Sequence, residues 1–155
     1  MIQLVNKENL STLYELFSYS INHDYPTWSS QIKDAYLTNY SRDRFYNVFT
    51  TASHIGYLAF EEAEPTGFIS FSHPELGVSN CEWLGVVSSY RNKGIGRQLL
   101  TAWQQYVINN HGHCLTLICE DNNINFYQNI GFNICGLIPN YCLGIDFYFC
   151  LKHIV

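Results

Sequence analysis

The sequence has few charged residues, and basic residues are the scarcest of them. Only 14% of the 155 residues are charged, and eight Lys and Arg stand against 13 Asp and Glu, for a formal net charge of −5. Proteins that bind nucleic acid or anionic membrane surfaces normally carry a basic surplus. We therefore expect neither a nucleic-acid partner nor a membrane partner, and the position of each basic residue becomes informative.

Long apolar runs are also missing. No apolar stretch approaches the ~18 residues of a membrane-spanning helix, and residues 1–10 lack the basic head and apolar stretch of a secretory signal. The six cysteines include no Cys-x-x-Cys pair, and no spacing of ligands predicts a metal site. These features are typical of a cytoplasmic protein in a reducing compartment, and we expect that location.

Apolar and aromatic residues are plentiful. They make up 47% and 16% of the chain, with 12 Tyr and 10 Phe, which is too much apolar material for a disordered chain. No repeat or linker divides the sequence, so residues 1–155 are expected to form a single domain. Helices come first, followed by a hairpin, a strand–helix–strand–helix segment and two strands, and this order predicts a mixed α/β sheet.

The spacing of apolar residues predicts where each element lies. The predicted helices cover residues 10–19, 29–37, 42–50, 94–108 and 123–129. The predicted strands cover residues 2–5, 55–60, 66–72, 81–87, 114–119, 132–138 and 145–151.

A loop with two glycines lies between a strand and a helix near residue 94. Gly94 and Gly96 let backbone N–H groups approach an anion, and the helix N-terminus adds its positive end. Arg91, Lys93 and Arg97 lie within seven positions, although the chain has only eight basic residues. This concentration of charge predicts a ligand that bears phosphate groups, whereas the alternative is a plain strand–helix turn. The spacing fits neither a Walker loop nor a Gly-x-Gly-x-x-Gly dinucleotide loop.

Two segments resemble one known family, the GCN5-related N-acetyltransferases (GNAT). Arg91 to Gly96 is similar to the family's Arg/Gln-x-x-Gly-x-Gly/Ala signature, and Leu84-Gly-Val86 is similar to the strand before it. Residues 125–132 resemble the family's Phe-Tyr-x-x-x-Gly-Phe element. The resemblance implies one α/β (α+β) domain of GNAT type, with a central mixed, mostly antiparallel sheet of about seven strands, flanked by helices and splayed at the cofactor site.

The resemblance also implies acetyl-CoA as cosubstrate. In the family, backbone amides of the loop bind the pyrophosphate, and the pantetheine arm fills the gap between two splayed strands like an added strand. Ser88, Glu120 and Asn123 stand where the family often has Pro, Asn and Ala. The resemblance therefore implies that the following residues contact the coenzyme: Val86, Val87, Arg91, Asn92, Lys93, Gly94, Ile95, Gly96, Arg97, Asn123 and Phe126.

Two residues are candidates for catalysis. Glu82 lies in an apolar run on the strand before the loop, where strand alternation would put it on one face with Asn80 and Leu84. There it could accept the proton of the acceptor amine, directly or through water, or it could be a solvated strand residue without a role. Tyr127, in the Phe-Tyr element, could protonate the departing thiolate, or it could be a core aromatic.

The acceptor site is expected in the linker between the first two helices. Asp24, Tyr25 and Trp28 lie there, and aromatic rings beside a carboxylate can hold a cationic amine, although a capped turn explains these residues equally well. Asn80 is a further candidate for acceptor binding. Carboxylates near the expected site also favour a positively charged acceptor, and they are Glu75, Glu82, Glu120 and Asp121.

The favoured hypothesis is an N-acetyltransferase that transfers the acetyl group of acetyl-CoA to a primary amine, with a small cationic amine preferred. Residues 119–132 are similar to arylalkylamine N-acetyltransferases, but Asn80 and Glu82 occupy the positions of two histidines in those enzymes. The alternatives are an acetyltransferase for protein lysines or N-termini and a non-catalytic acyl-CoA-binding module. Two copies of the chain could also pair through apolar end strands as a homodimer.

Overall fold

The computed structural model describes residues 1–154, which form one seven-stranded sheet and five α-helices. The helices are α1 (Leu10–His23), α2 (Ser30–Asn39), α3 (Arg42–Thr50), α4 (Ile95–Asn109) and α5 (Ile124–Gln128). The strands are β1 (Ile2–Leu4), β2 (His54–Glu61), β3 (Glu64–Ser72), β4 (Val78–Val86), β5 (Cys114–Cys119), β6 (Asn133–Ile138) and β7 (Phe147–His153). None of the helices in this part of the chain is long and apolar enough to span a membrane.

The sheet has the strand order β1-β2-β3-β4-β5-β7-β6. The β4–β5 pair is parallel and the other five pairs are antiparallel. This confirms the expectation of a mixed, mostly antiparallel sheet. Strands β1 and β6 are its edges, and pairing of end strands between two copies stays a prediction.

Strands β4 and β5 separate soon after they meet. Their parallel pairing joins Val78–Asn80 to Cys114–Thr116. Beyond this short ladder β4 continues to Val86 beside β3, and β5 continues to Cys119 beside β7. The sheet is therefore splayed between the carboxyl ends of β4 and β5, as expected. A gap of this kind leaves the facing edge of β4 available to a ligand.

A β-bulge interrupts β4 at Glu82. Cys81 pairs with Phe71 and Trp83 with Ser70, so Glu82 is the extra residue opposite a single step of β3. Unbroken alternation would put Cys81 and Trp83 on the same face, but they belong to two different core clusters. Leu84 packs against the cluster of Cys81. Because the bulge shifts the register, strand alternation alone does not determine which face residues 80, 82 and 84 share, although all three line one cavity.

The two core clusters lie on opposite faces of the sheet. Along β3, Ile69 and Phe71 pack into one cluster and Phe68 into the other. The first cluster includes the buried α4 residue Trp103, whose Nε1 donates to Ser79 Oγ at 2.9 Å. The second cluster contains the buried face of α1, formed by Leu10, Leu13, Phe17 and Ile21 at helical spacing.

Local signals account for two helix ends. The Ser29 side chain accepts a hydrogen bond from the Ile32 backbone N–H and so caps α2. Helix α1 continues four residues beyond the predicted end at Tyr19, and the Asp24 N–H still donates to the Ser20 carbonyl. The residue that limits it is Pro26, whose ring prevents a longer helix. The polar residues before it are compatible with a last helical turn.

Candidate active site

Two cavities adjoin at the gap between β4 and β5. The first has a volume of about 430 Å³ and lies against the β4–α4 loop. The second, of about 480 Å³, lies between β4, β5, β7 and the loop after α1. Five residues line both cavities and mark the junction between them, namely Tyr25, Leu84, Glu120, Asn123 and Tyr127.

The N-terminus of α4 forms one wall of the first cavity. The first helical hydrogen bond runs from the Gln98 N–H to the Gly94 carbonyl, so the N–H groups of residues 95–97 have no partner within the helix. Gly94 caps the helix with φ +81°, and a Cβ atom built on it would meet no atom within 4 Å. The residues here therefore fit a phosphate group, because free amides face open space at the positive end of a helix.

Most of the expected coenzyme contacts lie on the first cavity. Two of them do not. The Val87 N–H donates to the Thr66 carbonyl at 2.9 Å, and Lys93 Nζ lies 4.7 Å from the centre of the Tyr90 ring. The remaining expected residues line the cavity, and they are Val86, Arg91, Asn92, Gly94, Ile95, Gly96, Arg97, Asn123 and Phe126.

Arg91 joins the β4–α4 loop to the loop after α1. Its Nη2 forms an ion pair with Asp24 Oδ1, and its Nε donates to the Val86 carbonyl at 3.0 Å. Asp24 lines the first cavity and not the second. The structure thus puts Asp24, which the sequence suggested for acceptor binding, beside the expected coenzyme site. An ion pair between residues 67 positions apart has no local sequence signal.

Tyr127 lies at the junction of the two cavities, in the short helix α5. It is 8% exposed, and its ring packs edge-on against Phe126 and Phe132. Burial raises the pKa of its hydroxyl well above the usual value, and the thiols of Cys81 and Cys119 raise it further. The hydroxyl therefore keeps its proton throughout the neutral range. A buried, protonated phenol can act as a proton donor.

Glu82 lies in the wall of the second cavity and is half-buried. Its Oε1 accepts a hydrogen bond from Asn80 Nδ2 at 2.8 Å, and Asn80 Oδ1 accepts one from Thr116 Oγ1 at 3.1 Å. This chain of hydrogen bonds fixes the carboxylate at the point where β4 bulges and the strands begin to separate. Asn80 is thus held against Glu82 and lines the same cavity.

The second cavity has aromatic walls. Trp28 stacks between Tyr25 and Tyr36, with ring centroids 4.0 and 4.6 Å away. Trp28 Nε1 donates to Glu120 Oε1 at 2.7 Å. Burial raises the pKa of the Tyr25 hydroxyl, and the nearby Glu120 carboxylate raises it further. Tyr25 and Trp28 therefore lie together in the wall of the second cavity, and Glu120 joins them from the end of β5; their binding of an acceptor stays a prediction.

Sequence patterns predicted only three of the nine aromatic residues that line the second cavity. The aromatic residues that they did not assign to the site are Tyr36, Tyr40, Trp83, Tyr141, Phe147 and Phe149. The i, i+2 spacing of the two phenylalanines on β7 was a usable signal for a shared face. Glu75 and Asp121 line neither cavity, and Glu75 lies in the β3–β4 turn, paired with Val78. Residues 1–154 contain no group of three or more His, Cys, Asp or Glu that could hold a metal ion.

Comparison with known proteins agrees with this architecture. The model of the acetyltransferase (GNAT) family matches residues 16–132. The protein YdhI of Bacillus subtilis (strain 168) is 32% identical over 91 residues, and the match spans 55% of this chain and about half (54%) of YdhI.

Solved structures of acetyltransferases share the fold at low sequence identity. The aminoglycoside 6'-N-acetyltransferase from Enterococcus faecium is 18% identical and superposes with a TM-score of 0.75 over 100% of this chain and 97% of its own. The PaiA N-acetyltransferase from Thermoplasma acidophilum, in complex with coenzyme A, is also 18% identical, with a TM-score of 0.78 over 99% of both chains. Because the family model covers well over half of the sequence, the chain belongs to the acetyltransferase (GNAT) family.

Proposed function

We propose that this protein transfers the acetyl group of acetyl-CoA to the primary amine of a small cationic molecule. The observation that carries the proposal is the meeting of two cavities at Tyr127, one fitted to an anion and one lined by aromatic rings and carboxylates. A thioester held in the first cavity and an amine held in the second would meet at this junction. Membership of the GNAT family supports the same chemistry.

The coenzyme has a suitable place along β4 and α4. The free N–H groups of residues 95–97 would bind its pyrophosphate, and the unpaired edge of β4 near Val86 would hold the pantetheine arm as an added strand. In the structure Arg91 Nε donates a hydrogen bond to the Val86 carbonyl, and this bond must break before the pantetheine arm can pair with that carbonyl. Arg91 Nε would then be free to donate to a phosphate oxygen, while Nη2 can keep the ion pair with Asp24.

Two side chains would then move the protons of the reaction. Glu82 takes a proton from the acceptor ammonium, directly or through one water, because only the neutral amine has a lone pair for attack. A bond forms between the amine nitrogen and the carbonyl carbon, the carbon–sulfur bond breaks, and the nitrogen releases its second proton to water to give the neutral amide. Tyr127 gives its proton to the departing sulfur, because its hydroxyl is protonated at neutral pH and it lies at the junction of the two cavities.

The shape of the second cavity supports a small acceptor over a protein side chain. Its volume of about 480 Å³ lies in the range of small-molecule sites, ~300–1,000 Å³. Nine aromatic side chains line it, and a protein substrate would instead need a groove open along its length. Acetylation of protein lysines is therefore the weaker alternative.

The test is a direct assay of transfer. The protein is incubated with acetyl-CoA and each member of a panel of primary amines, and thiol release is measured together with the mass of the acetylated product. We expect equal amounts of thiol and acetylated amine with at least one small amine, and background release when the amine is omitted. Binding of coenzyme A without transfer to any amine or to lysine peptides would instead indicate a non-catalytic acyl-CoA-binding module.

A further inference from the structure

Resting on the proposed function, we infer that Glu120 binds the ammonium group of the acceptor, and that the acceptor carries this group on a compact apolar body with few other charges. Glu120 follows directly after β5 and lines both cavities. A cation bound there would lie at the junction, beside Tyr127. No other acidic residue described in the structure lines both cavities.

The Glu120 carboxylate is fixed in place by one strong contact. Its Oε1 accepts the Trp28 indole N–H at 2.7 Å, and Trp28 is 6% exposed. Within residues 1–154, Trp28 is the one side chain that donates a hydrogen bond to this carboxylate, so Oε2 is left for a ligand. Hydrogen bonds between a charged acceptor and a charged donor are the strong ones, and a preorganised carboxylate loses little entropy in forming them.

The charges around the second cavity favour a cation with a single ammonium group. Its lining contains two carboxylates, Glu82 and Glu120, and no Lys or Arg. Glu82 already accepts a hydrogen bond from Asn80. A ligand with four or five ammonium groups would leave most of them desolvated and unpaired, which is costly. A monoamine needs only one carboxylate, and aromatic faces add cation–π attraction.

The walls favour an apolar body next to that ammonium. Tyr25, Trp28 and Tyr36 form a continuous stack, and the Trp83 ring lies edge-on to Tyr36 at 5.6 Å. Sugar hydroxyls facing these rings would lose hydrogen bonds to water without replacement. An apolar body of similar size gains from burial instead.

A comparison of acceptors tests the chemical class. With acetyl-CoA saturating, kcat/KM is measured for 2-phenylethylamine, hexylamine, spermidine and an aminoglycoside. We expect both apolar monoamines to exceed both polycations by about tenfold or more, the effect of one well-placed interaction. A polycation as the best acceptor would overturn the inference while leaving the acetyltransferase proposal in place. Absence of acetylation with every amine would overturn the proposed function and the inference with it.

Variants test the role of Glu120. Glu120→Gln should raise KM for 2-phenylethylamine about tenfold, with kcat and coenzyme A affinity near wild type, because it keeps the shape and removes the charge. Glu75→Gln is the matched control, since Glu75 lies in a turn outside both cavities. Trp28→Phe keeps a ring and removes the donor to Glu120, and should raise KM in the same direction. Unchanged KM in Glu120→Gln, with a normal melting temperature, would overturn the inference.

Discussion

At the residue scale, Tyr127 combines burial with access to both cavities. The surroundings that raise its pKa, chiefly loss of water and then two thiols, all disfavour the phenolate. A group in this state can donate a proton once and recover it from solvent after the thiol product leaves. The position of Tyr127 at the junction of the two cavities is the observation that makes it a candidate proton donor.

Tyr127→Phe tests that role. The phenyl ring fills the same space, so coenzyme A affinity should stay near wild type, while turnover falls on the order of 10²-fold because the sulfur loses its proton donor. Affinity is measured by titration calorimetry and turnover by thiol release with a good acceptor. Unaltered turnover would indicate that Tyr127 serves only to pack against Phe126 and Phe132.

Glu82 is the second residue whose chemistry can be isolated. Most of an alkylamine is protonated at neutral pH, since its pKa lies near ~10.4, and the fraction of neutral amine rises with pH. Wild-type kcat/KM should therefore rise with pH. Glu82→Gln should lower it most at neutral pH, with a smaller difference at high pH, where less proton removal is needed.

The measurement is a pH–rate profile of both proteins with one amine. Two outcomes separate the possible roles of Glu82. Parallel profiles of equal height would show a carboxylate without a role in the reaction. A uniform drop at all pH values would indicate that Glu82 binds the charge of the acceptor instead.

At the scale of elements, the turn from β4 into α4 is the site that we propose for coenzyme binding. Gly94 holds φ +81°, a conformation that side chains with a Cβ rarely adopt, and its missing side chain leaves the space in front of the free amides empty. Gly144 has nearly the same φ, +80°, and an equally open Cβ position, but it lines neither cavity. Substitutions at these two glycines therefore distinguish the effect of backbone strain, which both share, from the effect of blocking the ligand, which only Gly94 should show.

Gly94→Val and Gly144→Val should both lose ~1–2 kcal/mol of unfolding free energy, because both side chains strain a left-handed residue. Only Gly94→Val should weaken coenzyme A binding, by about tenfold or more, since Val fills the space that the phosphate needs. Calorimetric titration of the three proteins checks this. Affinity of the wild type should also fall as salt is added, because the ligand is a polyanion. Equal coenzyme A affinity in Gly94→Val and wild type would show that the coenzyme does not bind at this loop.

Sequence patterns located the elements far better than they located the site. Helix α3 and strand β5 have the predicted bounds, since the periodicity of apolar residues is a local signal. The bulge at Glu82 is set by pairing with β3, which a period-two pattern does not contain. The contacts of Trp28 with Glu120 and of Asp24 with Arg91 join residues 92 and 67 positions apart, and only the folded sheet brings them together.

At the scale of the whole molecule, loss of contact with water raises the pKa of several acidic side chains. Burial is the largest cause that raises the pKa of Tyr25, Tyr36, Tyr127 and Cys81. In the unfolded chain these groups lose their protons near the ordinary values, ~8.5 for cysteine and ~10 for tyrosine. Between those values and the raised ones, the folded state binds more protons than the unfolded state. Their contribution to stability is therefore complete below the ordinary values and is lost as pH rises above them.

The melting temperature should accordingly be nearly constant from pH 7 to 8 and fall steeply above pH ~10. Thermal unfolding followed by circular dichroism across this range measures it. Tyr36→Phe, which removes one such group, should flatten the alkaline fall. A melting temperature that is independent of pH up to pH ~11 would contradict the link between these buried groups and stability.

The placement of the three tryptophans has a practical consequence. Trp28 and Trp83 stand in the wall of the second cavity, whereas Trp103 is fully buried with its N–H bonded to Ser79. Indole emission depends on the polarity around the ring, so an amine that binds in the second cavity should change the emission of Trp28 and Trp83, while the buried Trp103 adds a constant background. The protein thus carries its own optical probe for unknown acceptors, and candidate compounds can be screened by fluorescence with no label and without turnover.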